Sequence, residues 1–221
     1  GEPQALDTPY VAGQWWWYYR EVPDEAIVPF DMPVLFADQR LIAVDKPHFL
    51  ATTPSGSYLK ETALVRLRTQ FQNPDITPLH RLDRDTAGVL LFCVQPQYRG
   101  VYQSLFQSRD VQKEYEAIAS SELKLALPAT YSSHVEALKG VFLVRERGDL
   151  DPNSETYISE LSRWLADDGK HYSHYRLQPT TGRKHQLRVH MSSLGCPIVN
   201  DSYYPKWDQS RPVDDYSPPL Q

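Results

Sequence analysis

The chain has 221 residues, 41% of them hydrophobic and 23% charged, with a formal net charge of −5. That length suffices for one sizeable core or two small ones. The acidic balance argues against a protein that coats nucleic acid by bulk charge, though a local basic groove stays open. No apolar run approaches the length of a membrane span.

The elements follow in chain order. Residues 1–33 read as an N-terminal tail, an aromatic strand at Trp15-Trp16-Trp17-Tyr18-Tyr19 and a proline-broken connecting arm from Glu21 to Pro33. Val34-Leu35-Phe36 and Leu41-Ile42-Ala43-Val44, around Asp38-Gln39, form a hairpin pattern. Glu61 to Phe71 places Leu64, Leu67 and Phe71 at helical spacing. Val89 to Val94 is apolar enough for a central strand, and Tyr98 to Phe106 reads as a short helix. Gln112 to Ala119 reads as a strand, and Val135 to Arg145 as a hairpin turning at Lys139-Gly140. Tyr157 to Trp164 and His171 to Leu177 flank the turn signal Asp167-Asp168-Gly169-Lys170. Pro179-Thr180-Thr181-Gly182 is expected to open a helix that runs through Leu194 and stops at Gly195. Many strands with few helices predict an α+β fold: one domain over 34–206, with a largely antiparallel mixed sheet flanked by helices and loops and a cleft across it. Residues 207–221 form an acidic, proline-rich tail.

Two cysteines, Cys93 and Cys196, lack zinc spacing or a disulfide framework, which predicts free thiols in a cytoplasmic protein. The N-terminus is acidic and broken by prolines, unlike a signal peptide.

Chemistry concentrates in three segments. The first is His80-Arg81-Leu82-Asp83-Arg84-Asp85, which leads into the apolar run at Val89. Charge at the mouth of a buried element is costly unless it is paired or used. Asp83 stands between Arg81 and Arg84, and nearby positive charge favours the anion. It is a candidate nucleophile or base. The second segment, Thr181 to His190, carries Arg183, Lys184 and Arg188. On a helix Lys184 and Arg188 would share a face, and a helix N-terminus suits a phosphate. A solvated basic face is the plain alternative. In the third segment, Lys113-Glu114-Tyr115, Tyr115 offers a ring for base stacking or is an ordinary strand tyrosine.

Together these segments resemble the RluA-type RNA pseudouridine synthases. The resemblance rests on His80-Arg81-Leu82-Asp83 with Thr86-Ala87-Gly88, on Lys113-Glu114-Tyr115, and on Thr181-Gly182-Arg183-Lys184-His185-Gln186-Leu187-Arg188-Val189-His190 followed by Gly195, Pro197 and Asp201. Leu41 to Pro47 matches the family's opening strand motif. It implies an enzyme that breaks the N1–C1′ bond of a uridine in rRNA or tRNA, rotates the uracil and rejoins it through C5, with no metal or cofactor. Asp83 takes the place of the essential aspartate, and Tyr115 that of the ring packed on a flipped-out base. Arg188 is matched to the aspartate's partner, with Arg183 the other claimant. Arg81, Arg84, Arg183 and Lys184 are candidates to grip RNA phosphates. Two departures stand out: Ala87 replaces a commoner serine, and His48-Phe49-Leu50 follows Pro47. Many relatives carry a small N-terminal RNA-binding domain of the S4 type, for which the residues before Glu21 leave no room. The expected protein is a monomer in contact with structured RNA and no membrane. The rivals are a non-catalytic RNA-binding module and a metal-dependent transferase using His80, Asp83 and Asp85.

Overall fold

Hydrophobic alternation builds the first half of the fold. In the computed structural model, which describes residues 5, 7–9, 11–15, 25–56, 58–137 and 143–205, β1 (Val34–Ala37) pairs antiparallel with β2 (Leu41–Lys46). The Asp38 carboxylate closes the turn by accepting the Arg40 and Leu41 N–H groups, both at 2.7 Å. Ile42 and Val44 of β2 lie opposite Phe92 and Leu90 of β4 (Gly88–Cys93), and all four are buried. Burial of each such side chain is worth roughly 1.5–3 kcal/mol. A short β3 (Thr77–Pro78) completes a four-stranded sheet in the order β1-β2-β4-β3.

Helix α1 (Ala63–Phe71) buries Leu64 and Leu67 against this sheet. It starts at Thr62, whose hydroxyl accepts the Val65 N–H at 3.2 Å and so satisfies one orphan donor of the first turn. Residues 25–33, before β1, have no regular secondary structure and are clasped to the body by Glu25. Its carboxylate accepts the N–H groups of Leu59, Lys60 and Glu61. Helix α2 (Pro96–Gln107) follows β4, with Pro96 in its first turn.

A second, five-stranded sheet has the order β5-β9-β8-β6-β7, antiparallel throughout. Its strands are β5 (Tyr115–Ser120), β6 (Ala129–Ala137), β7 (Val144–Arg147), β8 (Ser154–Leu165) and β9 (His171–Pro179). Period-two patterning puts Ala117 and Ala119 of β5, Ile158 of β8 and Tyr175 and Leu177 of β9 on one face. Helix α3 (Gln186–Ser193) packs Met191 there, with Leu194 beyond its end. Gly195, at φ +84, ends the helix as expected: Cys196 N–H returns to the Met191 carbonyl at 3.0 Å.

The α+β, antiparallel reading holds, with the strands divided between two sheets. Tyr115 packs against both hydrophobic cores and so marks their junction. Two boundaries differ from expectation. Strand β5 begins at Tyr115, so Lys113 precedes the ladder. Helix α3 begins at Gln186, because β9 keeps pairing with β8 as far as Pro179. The expected aromatic strand beyond Trp15, the turn at Lys139-Gly140 and the acidic tail lie outside the described residues.

Candidate active site

Asp83 sits in the loop between β3 and β4, and that loop is pinned from below. Leu82 beside it is buried. The Thr52 hydroxyl donates to the Leu82 carbonyl at 2.7 Å and accepts the Leu82 N–H at 3.2 Å. Lys46, fully buried at the end of β2, donates its Nζ hydrogens to the carbonyls of Pro47, Leu50 and Arg84 at 2.9, 2.8 and 3.3 Å. Burial pulls the Lys46 pKa down to about 7, with the charges of Asp85 and Asp83 working in the opposite direction. Neither Thr52 nor Lys46 was among the expected site residues. The available signal was phase: Lys46 shares the buried face of β2 with Ile42 and Val44.

From the other sheet, α3 delivers Arg188. Its Nη1 donates to Asp83 Oδ2 at 2.9 Å, across 105 residues of chain. Its Nε and Nη2 donate to the two oxygens of Asp201, each at 2.7 Å. Asp201 is itself oriented by the Tyr203 and Tyr204 N–H groups at 2.8 and 3.1 Å. The rings of Tyr203 and Tyr204 lie against the guanidinium at 5.0 and 5.3 Å from their centroids. Burial opposes the charge on Arg188, but the hydrogen bonds and charges of Asp201 and Asp83 outweigh it and hold the guanidinium pKa above its usual value. Two carboxylates thus share one arginine, which leaves the trio with one net negative charge.

The two oxygens of Asp83 are inequivalent. Oδ2 takes the Arg188 bond and lies 3.8 Å from His185 Nε2, whereas Oδ1 accepts no hydrogen bond among the described residues. The Asp83 side chain is 21% exposed, against 9% for Arg188 and 4% for Asp201. Arg188 and Asp201 are therefore dry, and Asp83 is the most exposed of the three. Tyr115 stands beside it: burial, then the charge of Asp83, raises the phenol pKa.

The other expected residues divide. Arg81 and Lys184 are exposed near Asp83, and the Lys184 pKa, lowered first by burial, also feels Asp83 and Arg81. Arg183 is exposed but turns away, donating its Nε to the Asn153 carbonyl at 3.1 Å. Arg84 pairs with Asp85 at 3.1 Å and lies over Phe49 and Tyr58, at 5.4 and 5.2 Å. Arg176 of β9 pairs with Glu114 at 3.1 Å.

The expected helix N-terminus for phosphate is not built as anticipated. Residues 180–185 form a loop, so Lys184 and Arg188 do not share a helical face. The Gln186 side chain fills this end. Its Oε1 accepts the Arg183 N–H at 3.0 Å and the Thr181 hydroxyl at 2.8 Å, and its Nε2 donates to the Glu155 carbonyl at 2.9 Å. Lys113 Nζ donates to the Thr181 carbonyl at 2.7 Å, tying this loop to the start of β5.

The His80–Asp83–Asp85 ligand set does not form. His80 Nε2 accepts the Leu91 N–H at 3.2 Å, and its ring stacks on Phe106 at 5.1 Å. Burial, with Lys113 nearby, pulls its pKa down to about 4. Among the described residues no group of three or more His, Cys, Asp or Glu is placed to hold a metal ion.

Residues 40–193 match the family described as RNA pseudouridylate synthase. The dual-specificity RNA pseudouridine synthase RluA of Vibrio parahaemolyticus is 33% identical over 77% of this chain and 68% of its own. The tRNA pseudouridine synthase C of Haemophilus ducreyi is 33% identical over 82% and 77% respectively. Among solved structures, human RNA Pseudouridylate Synthase Domain Containing 1 superposes with a TM-score of 0.64 at 26% identity, covering 77% of this chain and 68% of that one.

Proposed function

The chain belongs to the RNA pseudouridine synthase family, whose members isomerise uridine to pseudouridine, and we propose that Asp83 is the carboxylate that performs this reaction, held by Arg188 and Asp201. The observation that carries the assignment is the inequivalence of its oxygens. Oδ2 is bonded in a buried ion trio, whereas Oδ1 accepts no hydrogen bond among the described residues, and the side chain is 21% exposed with Tyr115 close enough to feel its charge. A module that only binds RNA gains nothing from desolvating three charges, because buried ion pairs contribute little net stability.

The reaction breaks N1–C1′, forms C5–C1′, gives N1 a proton and releases the proton on C5. A uridine in folded RNA must leave its stack to reach Oδ1, which calls for a ring to receive the base and cations to hold the flanking phosphates. Tyr115 serves as the ring. Arg81 and Lys184, exposed beside Asp83, grip the backbone, and Arg84 and Arg183 extend that grip at its margins. The substrate is a structured rRNA or tRNA, in line with the names of the relatives. The protein acts as a cytoplasmic monomer. Its two cysteines are both buried and free, in keeping with a reducing compartment. No helix among the described residues is long and apolar enough to cross a membrane.

Tritium release from RNA carrying 5-tritiated uridine tests the assignment. Wild type releases tritium; Asp83→Asn loses nearly all release while keeping its RNA affinity. Equal release by both proteins overturns the role of Asp83.

A further inference from the structure

His185 does not belong to the ion trio, yet it reaches the same oxygen. It caps α3 with φ +52, a left-handed conformation that costs a non-glycine residue free energy and persists only when its surroundings impose it. The strained backbone drives the imidazole inward, where its side chain is 1% exposed, between Asp83 and Tyr204. Nδ1 lies 2.9 Å from the Tyr204 hydroxyl, and Nε2 lies 3.8 Å from Asp83 Oδ2. The Tyr204 ring meets the imidazole edge-on and the Tyr203 ring stacks on it, at centroid distances of 5.7 and 6.4 Å.

The hydroxyl and the Asp83 carboxylate together select the tautomer. Tyr204 Oη accepts the Val144 N–H at 3.0 Å and has a single proton to give. It faces two acceptors: the Val144 carbonyl at 3.3 Å and His185 Nδ1 at 2.9 Å. If the proton went to the carbonyl, Nδ1 would have to carry hydrogen and Nε2 would aim a lone pair at a carboxylate. If it goes to Nδ1, the shorter of the two contacts becomes the hydrogen bond and Nε2–H faces the anion. The ring is neutral in either case, since burial, helped by Arg188 and Lys184 and opposed by Asp83 and Asp201, pulls its pKa down to about 4.

We propose that His185 is a positioning residue for the reaction. Tyr204 fixes it as the neutral Nε2–H tautomer, whose donor turns Asp83 Oδ2 inward and Oδ1 toward the nucleotide. A separation of 3.8 Å is too long for a hydrogen bond in the free enzyme. Such contacts tighten when substrate closes the site. The chain Val144–Tyr204–His185–Asp83 thereby connects the backbone of β7 to the reacting carboxylate. The inference rests on Asp83 being that carboxylate, which the Asp83→Asn experiment tests separately.

Nitrogen-15 NMR of the imidazole reads the tautomer without any turnover. The expected pattern is neutral Nε2–H between pH 6 and 8, shifting toward Nδ1–H in Tyr204→Phe. An Nδ1–H tautomer or an imidazolium in the wild type overturns the proposal, whatever the activity. Single-turnover kinetics supplies the second arm. His185→Gln, which returns a donor near the Nε2 position, keeps its rate within about tenfold of wild type; His185→Phe falls about a hundredfold, the order expected for a misplaced reacting group. RNA affinity stays unchanged in both. A Phe variant as fast as wild type, or a Gln variant as slow as Phe, overturns it.

Discussion

Replacing Asp201 with alanine removes the group that holds two of the three hydrogen-bonding nitrogens of Arg188. Two bonds of 2.7 Å disappear, and the Tyr203 and Tyr204 N–H groups lose their acceptor. Arg188 stays 9% exposed, so water replaces little of what is lost. Breaking a buried pair by deleting one partner costs roughly 3–5 kcal/mol. In a domain of this size each kcal/mol moves Tm by about 2–4 °C, so the expected drop is about 6–20 °C. Activity should fall further than stability accounts for, because the guanidinium is then fixed by its single 2.9 Å bond to Asp83, and a shift of about 1 Å at a reacting group costs about a hundredfold in rate. The double variant Arg188→Met/Asp201→Leu separates the two effects. An apolar pair of similar volume should recover most of the Tm, since Asp83 remains partly solvated, while tritium release stays lost. Thermal unfolding by circular dichroism and single-turnover release on the same samples decide the matter. An Asp201→Ala protein within about 2 °C of wild type and fully active would refute the coupling, as would a double variant that regains turnover.

Acid should destabilise the fold through His190. It is fully buried, with Nδ1 3.0 Å from the Thr156 hydroxyl and Nε2 2.9 Å from that of Ser154, and burial pulls its pKa down to about 4. The unfolded chain takes up a proton below about pH 6.5 that the folded one refuses, so stability falls from pH 6.5 to 4, by as much as about 3 kcal/mol from this residue. A urea midpoint whose pH dependence is the same in His190→Gln as in wild type would contradict this. RNA affinity should fall steeply with salt, and Arg81→Ala or Lys184→Ala should each reduce the log–log slope by about one. Anisotropy titrations giving an unaltered slope would remove those side chains from the phosphate grip. Lys46→Met leaves three carbonyls, one buried and two partly buried, without their donor, at about 1–3 kcal/mol for each group that water cannot reach. A wild-type Tm in that variant would mean that Lys46 does not brace the Asp83 loop.

Local rules found much of this structure. A hairpin pattern located β2, an apolar run located β4, a turn signal located the β8–β9 pair, and helical spacing located α1, because each of those segments buries one face against its own core. The start of α3 was missed for a tertiary reason. Pro179-Thr180-Thr181-Gly182 reads as a helix opening, but the β8–β9 ladder extends to Pro179, and Gln186 satisfies the loop that follows. Lys113 reads as a strand residue, but it is bonded to the Thr181 carbonyl before the ladder begins. The charged run at residues 80–85 pointed to Asp83, but neither neighbouring arginine is its ion-pair partner: Arg84 pairs with Asp85, and Asp83 pairs with Arg188. Its partner lies 105 residues away, and periodicity carries no information about such a contact. Only the resemblance to a family suggested Arg188, and nothing suggested that Asp201 and His185 would flank it.

The junction between the two sheets has a consequence for folding chronology. The first core draws on residues from Val28 to Phe92, and the second on residues from Ala117 to Cys196. Asp83 belongs to the first half, and Tyr115, Arg188 and Asp201 to the second. Pairings within each half, such as β2 with β4 and β5 with β9, close shorter loops than the Asp83–Arg188 pair, which spans 105 residues and pays its entropy late. Competence therefore arrives after most of the secondary structure. On the proposed role of Asp83, a half-docked intermediate is chemically silent, and the appearance of turnover reports the docking of the two halves.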